Sequence, residues 1–225
     1  MPLTGRKRRS AARFVCIGAG GHGRSVVDLF GAGNKHECVG FLDPDPALKG
    51  TSILGYTVLG GEELLAGLRK EKVSAFLITF GTTGERQQWR RRAEKFHELK
   101  LAGLVPLSLV HESAKVSRYA HVGQGTVIMS GAVVNAGAHV GDNVIVNSGA
   151  IVEHDCTVGD HSHIATGTIL CGRANISEGV HVGAGAVVLQ NVQVGADSII
   201  GAGAVVTRAV RSGTLVVGIP ARIRL

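Results

Sequence analysis

The chain has 225 residues, of which 33 are glycine, and only 4% are aromatic. This composition disfavours an ordinary layered globule, whose core leans on aromatic side chains, and favours a narrow repetitive architecture. The net charge of +7 comes from residues 1–109, which contain 17 Lys and Arg against 10 Asp and Glu. Such an excess attracts anionic small molecules, whereas the scarcity of aromatic rings for base stacking disfavours a nucleic-acid partner.

The N-terminus is basic and does not resemble a targeting segment. Residues 1–12 include the run Arg6-Lys7-Arg8-Arg9 and predict a basic disordered tail. They lack the apolar region of a signal peptide, and no later apolar run approaches the roughly 20 residues that span a bilayer. The four cysteines form no C-x-x-C pair, so buried free thiols are expected. We expect a cytoplasmic protein without a membrane partner.

The first elements predict a nucleotide-binding unit. Residues 13–30, RFVCIGAGGHGRSVVDLF, read as a short strand, a glycine turn and an amphipathic helix. Gly18, Gly20 and Gly23 match the G-x-G-x-x-G pattern, in which glycines let a phosphate approach the backbone at a helix N-terminus. A second strand ends at Asp43, about where an acid binds a ribose.

The rest of the first half is too short for a dinucleotide fold. Residues 61–72 and 84–101 predict helices, residues 73–81 predict a third strand, and residues 103–111 predict a fourth. This leaves one βαβ-type half, whereas a full dinucleotide fold has two. A mononucleotide-type ligand is therefore favoured over NAD, which is the literal interpretation of the glycine motif.

The second half is a repeat. From Val110 to Val206 every sixth residue is valine, isoleucine or leucine. This period is typical of a β-helix, in which short strands form the faces of a prism and stack coil on coil. Three hexapeptides make one triangular coil, so about five coils are expected over residues 110–206. Glycines such as Gly123, Gly159 and Gly183 are expected at tight corners with positive φ.

A small α/β unit with GAGGHG, followed directly by an unbroken hexapeptide prism, resembles the hexapeptide-repeat sugar acetyltransferases of the PglD, PerB and NeuD type. The stretches FLD and EHDCTVGDHSHIATGTILCG carry the same resemblance. It implies a Rossmann-like nucleotide-sugar-binding domain at residues 13–109 and a left-handed parallel β-helix that binds acetyl-CoA at residues 110–225. It also implies a homotrimer with acyl-CoA between neighbouring prisms. Because the prism register never breaks to form a loop over the acceptor, we expect the first half to recognise the acceptor.

The stretch IVEHDCTVGDHSHI, residues 151–164, concentrates histidines and carboxylates. The resemblance makes His154 the general base, a role that suits imidazole because it titrates near neutral pH. Asp155 matches the acid that orients this base, with Glu153 as the rival. The acetyl-CoA-binding residues that the resemblance implies are His163, Asn147, Gly172, Ala184 and Ala202.

The resemblance also implies a set of acceptor-binding residues in the α/β unit. These are Gly20, Gly21, His22, Asp43 and Gly81. Four other histidines of the prism are expected to be solvated on outer faces: His121, His139, His161 and His181. No histidine pair has the five-residue spacing of the zinc carbonic anhydrases with hexapeptide repeats, so no metal is expected.

The leading hypothesis is an acetyl-CoA-dependent N-acetyltransferase that acts on the 4-amino group of a UDP- or GDP-linked amino sugar. Such an enzyme would serve polysaccharide biosynthesis. Two alternatives are a sialic acid O-acetyltransferase of the NeuD type and a non-catalytic structural protein with hexapeptide repeats. The intact His154-Asp155 pair speaks against the structural protein.

Overall fold

The computed structural model describes residues 11–30, 35–82 and 86–224. It contains an α/β unit followed by a parallel β-helix. The basic run predicted to be a disordered tail, Arg6 to Arg9, lies outside these residues. Within the described ranges, no helix combines the length and the hydropathy needed to cross a membrane.

In the ranges given above, the α/β unit is a mainly parallel sheet with three α-helices, two of six residues and one of sixteen. Its elements are β1 (Arg13–Ile17), α1 (Gly21–Val26), β2 (Glu37–Leu42), β3 (Ser52–Ile53), β4 (Tyr56–Gly60), α2 (Leu65–Lys70), β5 (Val73–Ile78), α3 (Arg86–Leu101) and β6 (Val105–Pro106). The strand order is β3-β4-β2-β1-β5-β6, and only the edge pair β3 and β4 is antiparallel. The carboxyl ends of β1, β2 and β5 therefore meet at one edge, where α/β sheets bind ligands.

The strands and helices predicted for the α/β unit are present, with two differences. The hairpin of β3 and β4 was not predicted, and its turn is formed by Leu54 and Gly55, both with positive φ. The predicted fourth strand is divided: β6 joins the sheet, and Leu109–Val110 belongs to the β-helix.

The β-helix has three faces of short parallel strands. The domain face consists of β7 (Leu109–Val110), β10 (Val127–Ile128), β13 (Ile145–Val146), β16 (His163–Ile164), β19 (His181–Val182), β22 (Ile199–Ile200) and β24 (Leu215–Val217), with β25 (Arg222–Ile223) antiparallel at its end. The apolar face consists of β8 (Lys115–Val116), β11 (Val133–Val134), β14 (Ile151–Val152), β17 (Ile169–Leu170), β20 (Val187–Val188) and β23 (Val205–Val206). The polar face consists of β9 (His121–Val122), β12 (His139–Val140), β15 (Thr157–Val158), β18 (Asn175–Ile176) and β21 (Gln193–Val194).

The strand register confirms the predicted three hexapeptides per coil. Val127 pairs with Ile145 and Ile128 with Val146, so each strand aligns with the strand one coil later. The aliphatic residues of the hexapeptide series fill the prism and form one continuous core, apart from the first coil, where Val110 is exposed and Val116 and Val122 are partly buried.

The glycines predicted at the corners are explained by the close approach of adjacent coils, not by the expected positive φ. Gly159 and Gly183 lack positive φ, but a Cβ would lie 2.5 Å from the Glu178 nitrogen or 2.6 Å from the Ala202 nitrogen of the next coil. They are glycines because adjacent coils approach closely there. Positive φ occurs instead further along the turns, both at other glycines and at residues such as Asp155.

The outward side chains distinguish the three faces. On the domain face, Leu109, Val127 and Ile145 are buried against the α/β unit. The polar face presents histidine, threonine, asparagine and glutamine to solvent. The apolar face presents a row of partly exposed aliphatic side chains, Val133, Ile151, Ile169, Val187 and Val205. One outer face of the prism is thus apolar without being covered by the α/β unit.

Arg92 of α3 ties the α/β unit to the prism. Its side chain is fully buried, and Nη1 donates to the carbonyls of Ile78 at 3.0 Å and Phe80 at 2.8 Å. Nε donates to the Asn143 carbonyl in the prism at 3.4 Å. Burial lowers the pKa of Arg92 to about 9. A buried cation held by carbonyls fixes the end of β5 against the β-helix.

Two of the four histidines expected in solvent are not solvated. His161 is only 9% exposed because its ring packs on Phe96 and His97 of α3. His181 lies partly buried beneath the α/β unit. The expectation was wrong for both, since the α/β unit covers this side of the prism. It was confirmed for His121 and His139, whose exposed rings stack 4.4 Å apart.

Candidate active site

His154 lies at the corner between β14 and β15, where the apolar face meets the polar face. The next residue, Asp155, has a φ of +59°, and its Oδ2 lies 3.0 Å from His154 Nδ1. Since a carboxylate only accepts hydrogen bonds, Nδ1 carries the hydrogen and Nε2 keeps a free lone pair. Both side chains are more than half exposed, at 58% and 53%. The pair therefore has the arrangement of an accessible general base.

Glu153, the rival of Asp155, is engaged elsewhere. Its Oε2 accepts a hydrogen bond from Asn135 Nδ2 at 2.9 Å, one coil earlier, and another from the His154 backbone nitrogen at 3.3 Å. The structure thus pairs the His154 ring with Asp155, a choice that the sequence left open.

Gly172 lies one coil after His154. A Cβ at Gly172 would come within 2.5 Å of His154 Nε2. The glycine therefore leaves the space that the imidazole occupies. We call His154, Asp155 and Gly172 the base corner.

Four other predicted residues lie on the opposite side of the apolar face. Asn147 and His163 meet where the domain face turns into the apolar face, with Asn147 Nδ2 3.2 Å from His163 Nε2. Ala184 and Ala202 follow along the same border, exposed and one coil apart. We call these four residues the donor edge.

Burial keeps the His163 ring neutral. The ring is 8% exposed, and desolvation, together with the charges of His181 and His22, lowers its pKa to about 3. His163 therefore acts as a fixed hydrogen-bonding group rather than as a base at neutral pH.

The base corner and the donor edge are not brought together within one chain. They lie on the two borders of the apolar face, with the full width of that face between them. A single site with His154 and His163 therefore requires a second copy of the prism.

The predicted acceptor residues do come together, at the carboxyl ends of β1, β2 and β5. A cleft of about 320 Å³ opens there, lined by residues that include Gly18, Gly20, Asp43 and Gly81. A Cβ at Gly20 or Gly21 would meet nothing within 4 Å, so the glycine turn is open to a ligand. We call this space the acceptor cleft.

Asp43 fastens the glycine turn. Its Oδ2 accepts from the Ala19 nitrogen at 2.7 Å, and its Oδ1 accepts from the Asp45 nitrogen at 3.0 Å. Each oxygen retains a second lone pair for a ligand hydroxyl. Asp43 is therefore a structural tie as well as a candidate ribose-binding acid.

His22 lies against Gly81, which lines the acceptor cleft. A Cβ at Gly81 would lie 3.4 Å from His22 Cγ. His22 Nε2 is buried and has no hydrogen-bond partner in the part of the chain that the structure describes. Burial and the charge of Arg92 lower the pKa of His22 to about 3.

Sequence reasoning missed three residues near these groups. Arg91 and Lys95, one turn apart on α3, line the acceptor cleft and an adjoining cleft of about 590 Å³. The basic character of this helix was the available signal. Thr82 hydrogen-bonds to His163, with Oγ1 3.0 Å from Nδ1. No local pattern marks that contact, because the two residues are far apart in the sequence.

The described residues contain no group of three His, Cys, Asp or Glu side chains that could hold a metal ion. The donor edge instead offers an amide, an imidazole and two small side chains along a row of stacked coils.

Comparison with known families gives matches to both halves. Residues 13–93 match the PglD N-terminal domain. Residues 137–172 and 173–208 match the bacterial transferase hexapeptide family of six repeats. A comparison with curated protein sequences gave no match.

Solved structures similar to the chain cover nearly its whole length. A mutant GDP-perosamine N-acetyltransferase from Caulobacter crescentus, in complex with CoA and GDP-perosamine, is 32% identical with a TM-score of 0.87, covering 95% of this chain and 97% of that one. The acetyltransferase domain of PglB from Neisseria gonorrhoeae, in complex with acetyl coenzyme A, is 36% identical with a TM-score of 0.85, covering 96% and 100%. PerB from Caulobacter crescentus, in complex with CoA and GDP-perosamine, is 32% identical with a TM-score of 0.77, covering 95% and 98%.

Proposed function

The chain belongs to the hexapeptide-repeat sugar acetyltransferases with a PglD-type N-terminal domain, and from this premise we propose that it acetylates the 4-amino group of a nucleotide-linked amino sugar. The observation that carries the proposal is the His154-Asp155 pair, which leaves His154 Nε2 free to accept a proton. The similar structures are named as acetyltransferases, and those that name a sugar name a GDP-linked amino sugar.

The active site is shared between copies of the chain. The apolar face, with its row of valine and isoleucine, has the character of a self-association surface. When such faces meet in a closed cyclic assembly, the border of one prism lies beside the opposite border of the next. The base corner of one copy then meets the donor edge of its neighbour, in a homotrimer.

The donor edge fits the linear arm of acetyl-CoA. Ala184 and Ala202 are exposed and small, so an extended ligand can lie along the stacked turns and contact their backbone. Asn147 and His163 add polar contacts at one end of this row. Acetyl-CoA, when bound, supplies an acetyl thioester that an amine can attack.

His154 supplies the base for that attack. A sugar ammonium must lose a proton to become a nucleophile, and the amine must lose a second one as the amide forms. Nε2 accepts that second proton, and the Asp155 carboxylate stabilises the resulting imidazolium through Nδ1. The proton then passes to the departing thiolate, which leaves the ring neutral for the next turnover.

The α/β unit, residues 13–109, holds the nucleotide part of the acceptor, and residues 110–225 form the acetyl-CoA-binding domain. Gly20, Asp43 and Gly81 line the acceptor cleft, and Gly21 and His22 directly follow Gly20 in the chain. Arg91 also lines this cleft, and its guanidinium suits a diphosphate, whereas Lys95 is paired with Glu62 and Glu98. An enzyme using acetyl-CoA in this way belongs in the cytoplasm.

The test is an assay of CoA thiol release with acetyl-CoA and a panel of UDP-, GDP- and CMP-linked sugars. We expect turnover with a 4-amino sugar linked to UDP or GDP. We expect none with CMP-sialic acid or with nucleotide-linked sugars that lack a free amino group. His154→Asn should lower kcat at least about a hundredfold, the usual scale for losing a general base. Turnover of a sialic acid alone would replace the proposal with O-acetylation, and near-normal turnover by His154→Asn would remove the base assignment.

A further inference from the structure

Thr82 is the point at which the acceptor cleft touches the donor edge. It directly follows Gly81, is 5% exposed, and contacts two histidines of the domain face. Its Oγ1 lies 3.0 Å from His163 Nδ1 and 3.3 Å from His181 Nδ1. Its carbonyl oxygen also lies 3.0 Å from His163 Nδ1.

The carbonyl contact sets the tautomer of His163. A carbonyl oxygen only accepts, so Nδ1 of His163 must carry the hydrogen. Nε2 of the neutral ring is then an acceptor, and it faces the Nδ2 donor of Asn147 at 3.2 Å. Both ring nitrogens are satisfied in this one arrangement.

The Thr82 hydroxyl extends the chain of hydrogen bonds. Since its oxygen accepts from His163 Nδ1, its hydrogen is available for the lone pair on His181 Nδ1. The donors and acceptors then run in one direction, from Asn147 through His163 and Thr82 to His181. His181 must accordingly carry its own hydrogen on Nε2.

We propose that Thr82 is a positioning residue for acetyl-CoA binding, which fixes the His163 ring with Nδ1 protonated, so that Nε2 accepts from Asn147 and both side chains are held in place at the donor edge. The proposal rests on the proposed function, which assigns the donor edge to acetyl-CoA. Thr82 directly follows Gly81 of the acceptor cleft, so a residue beside the acceptor cleft would position a side chain of the donor edge. Thr82 touches no reacting atom and acts through the His163 ring alone.

The first test is made on the unaltered protein without ligand. Two-bond ¹H–¹⁵N spectra of protein labelled with ¹⁵N-histidine distinguish the tautomers, and His163→Gln and His181→Gln variants assign the signals. The expected result is His163 with its hydrogen on Nδ1 and His181 with its hydrogen on Nε2. A His163 signal with the hydrogen on Nε2 would overturn the proposal.

The second test removes the hydroxyl and measures CoA binding by calorimetry. Thr82→Val keeps the backbone carbonyl, and with it the tautomer of His163, but loses the hydroxyl that joins the His163 and His181 rings. It should therefore raise the Kd for CoA about fivefold or more, the scale of one lost hydrogen bond, and Thr82→Ser should restore it to within about twofold. The matched control is Thr126→Val. Thr126 is equally buried and donates Oγ1 to the Gly141 carbonyl at 2.7 Å, at a corner away from both borders of the apolar face.

The outcomes separate this proposal from the proposed function. Equal Kd values for Thr82→Val and the unaltered protein, a Thr82→Ser variant as weak as Thr82→Val, or an equal loss in Thr126→Val would each refute the role of Thr82. If the protein acetylates no sugar, the proposed function fails. The histidine tautomers and the CoA affinities of the variants still test whether Thr82 positions His163.

Discussion

The His154 imidazole owes its proposed role to one neighbour. Asp155 reaches Nδ1 at 3.0 Å because its backbone has a left-handed φ of +59°, which an aspartate tolerates better than most residues. Glu153 stands on the other side of His154 but is bonded to Asn135. The two carboxylates that flank His154 thus have separate tasks. Asp155 orients the imidazole, and Glu153 links its coil to the preceding one through Asn135.

Exchanging these carboxylates for amides should separate the two tasks. Asp155→Asn should lower kcat by at least about tenfold, because an amide does not stabilise the imidazolium and permits the wrong tautomer. Glu153→Gln keeps an oxygen that can accept from Asn135, so it serves as the matched control and should retain kcat within about threefold. Steady-state kinetics of the two variants measure the difference, and equal losses would contradict the assignment of Asp155.

The apolar face is the element on which the proposed sharing of the site between subunits depends. Its outward residues, such as Ile151, Ile169 and Val187, are partly exposed, whereas the corresponding residues of the polar face are hydrophilic. Aliphatic side chains in a continuous row on a surface strand are typical of an interface, because their burial against another copy removes apolar area from water.

A charge on this face should therefore prevent assembly. Ile169→Lys should convert the trimer to monomers, since the ammonium would have to be buried in an apolar contact. Asn175→Lys is the matched control, because Asn175 has the same outward position one hexapeptide later on the polar face. Sedimentation analysis should show monomers for the first variant and trimers for the second. A trimeric Ile169→Lys protein would place the interface elsewhere.

The contact between α3 and the prism should depend on pH. Burial, followed by the charge of His97, lowers the pKa of His161 to about 4, against about 6.5 in an unfolded chain. Between these values the unfolded state binds more protons, so this contribution to stability is complete above about pH 6.5 and is lost as the pH falls towards 4.

Removing the titrating ring should flatten that dependence. His161→Asn suits the site because asparagine tolerates the φ of +61° at this position. Its Tm should fall less than that of the unaltered protein between about pH 7 and about pH 5. His139→Asn, on the exposed polar face, should leave the fall in Tm unchanged. Parallel pH profiles for all three proteins, measured by calorimetry, would contradict the buried state of His161.

The hexapeptide series shows how far sequence reasoning reaches. Val140 or Ile164 could be placed inside the prism because a period of six is a local property that each coil repeats. His161 and Thr82 could not be placed, because their burial depends on how α3 and the end of β5 lie against coils far away in the sequence. The His154-Asp155 pair could be predicted because the two residues are adjacent in the sequence. Its separation from the donor edge could be seen only from the geometry of the prism.

At the scale of the whole molecule, the proposed function requires two binding units around a site that one chain does not complete. Arg92 and Thr82 fix the acceptor cleft to the same chain's donor edge. His154 lies across the apolar face from both. Under the proposed function, the base of one copy would therefore serve the acetyl-CoA and the sugar held by its neighbour.

Complementation between inactive variants measures this sharing directly. His154→Ala and His163→Ala should each be nearly inactive alone, since every cleft then lacks one of the two histidines. Mixed trimers, co-expressed with different tags and purified through both, contain clefts that combine the intact His154 of one copy with the intact His163 of another. A cyclic trimer that contains both variants has one intact cleft among its three, so activity should return to about a third of that of the unaltered protein. Mixed trimers no more active than the two variants measured separately would contradict a site shared between subunits.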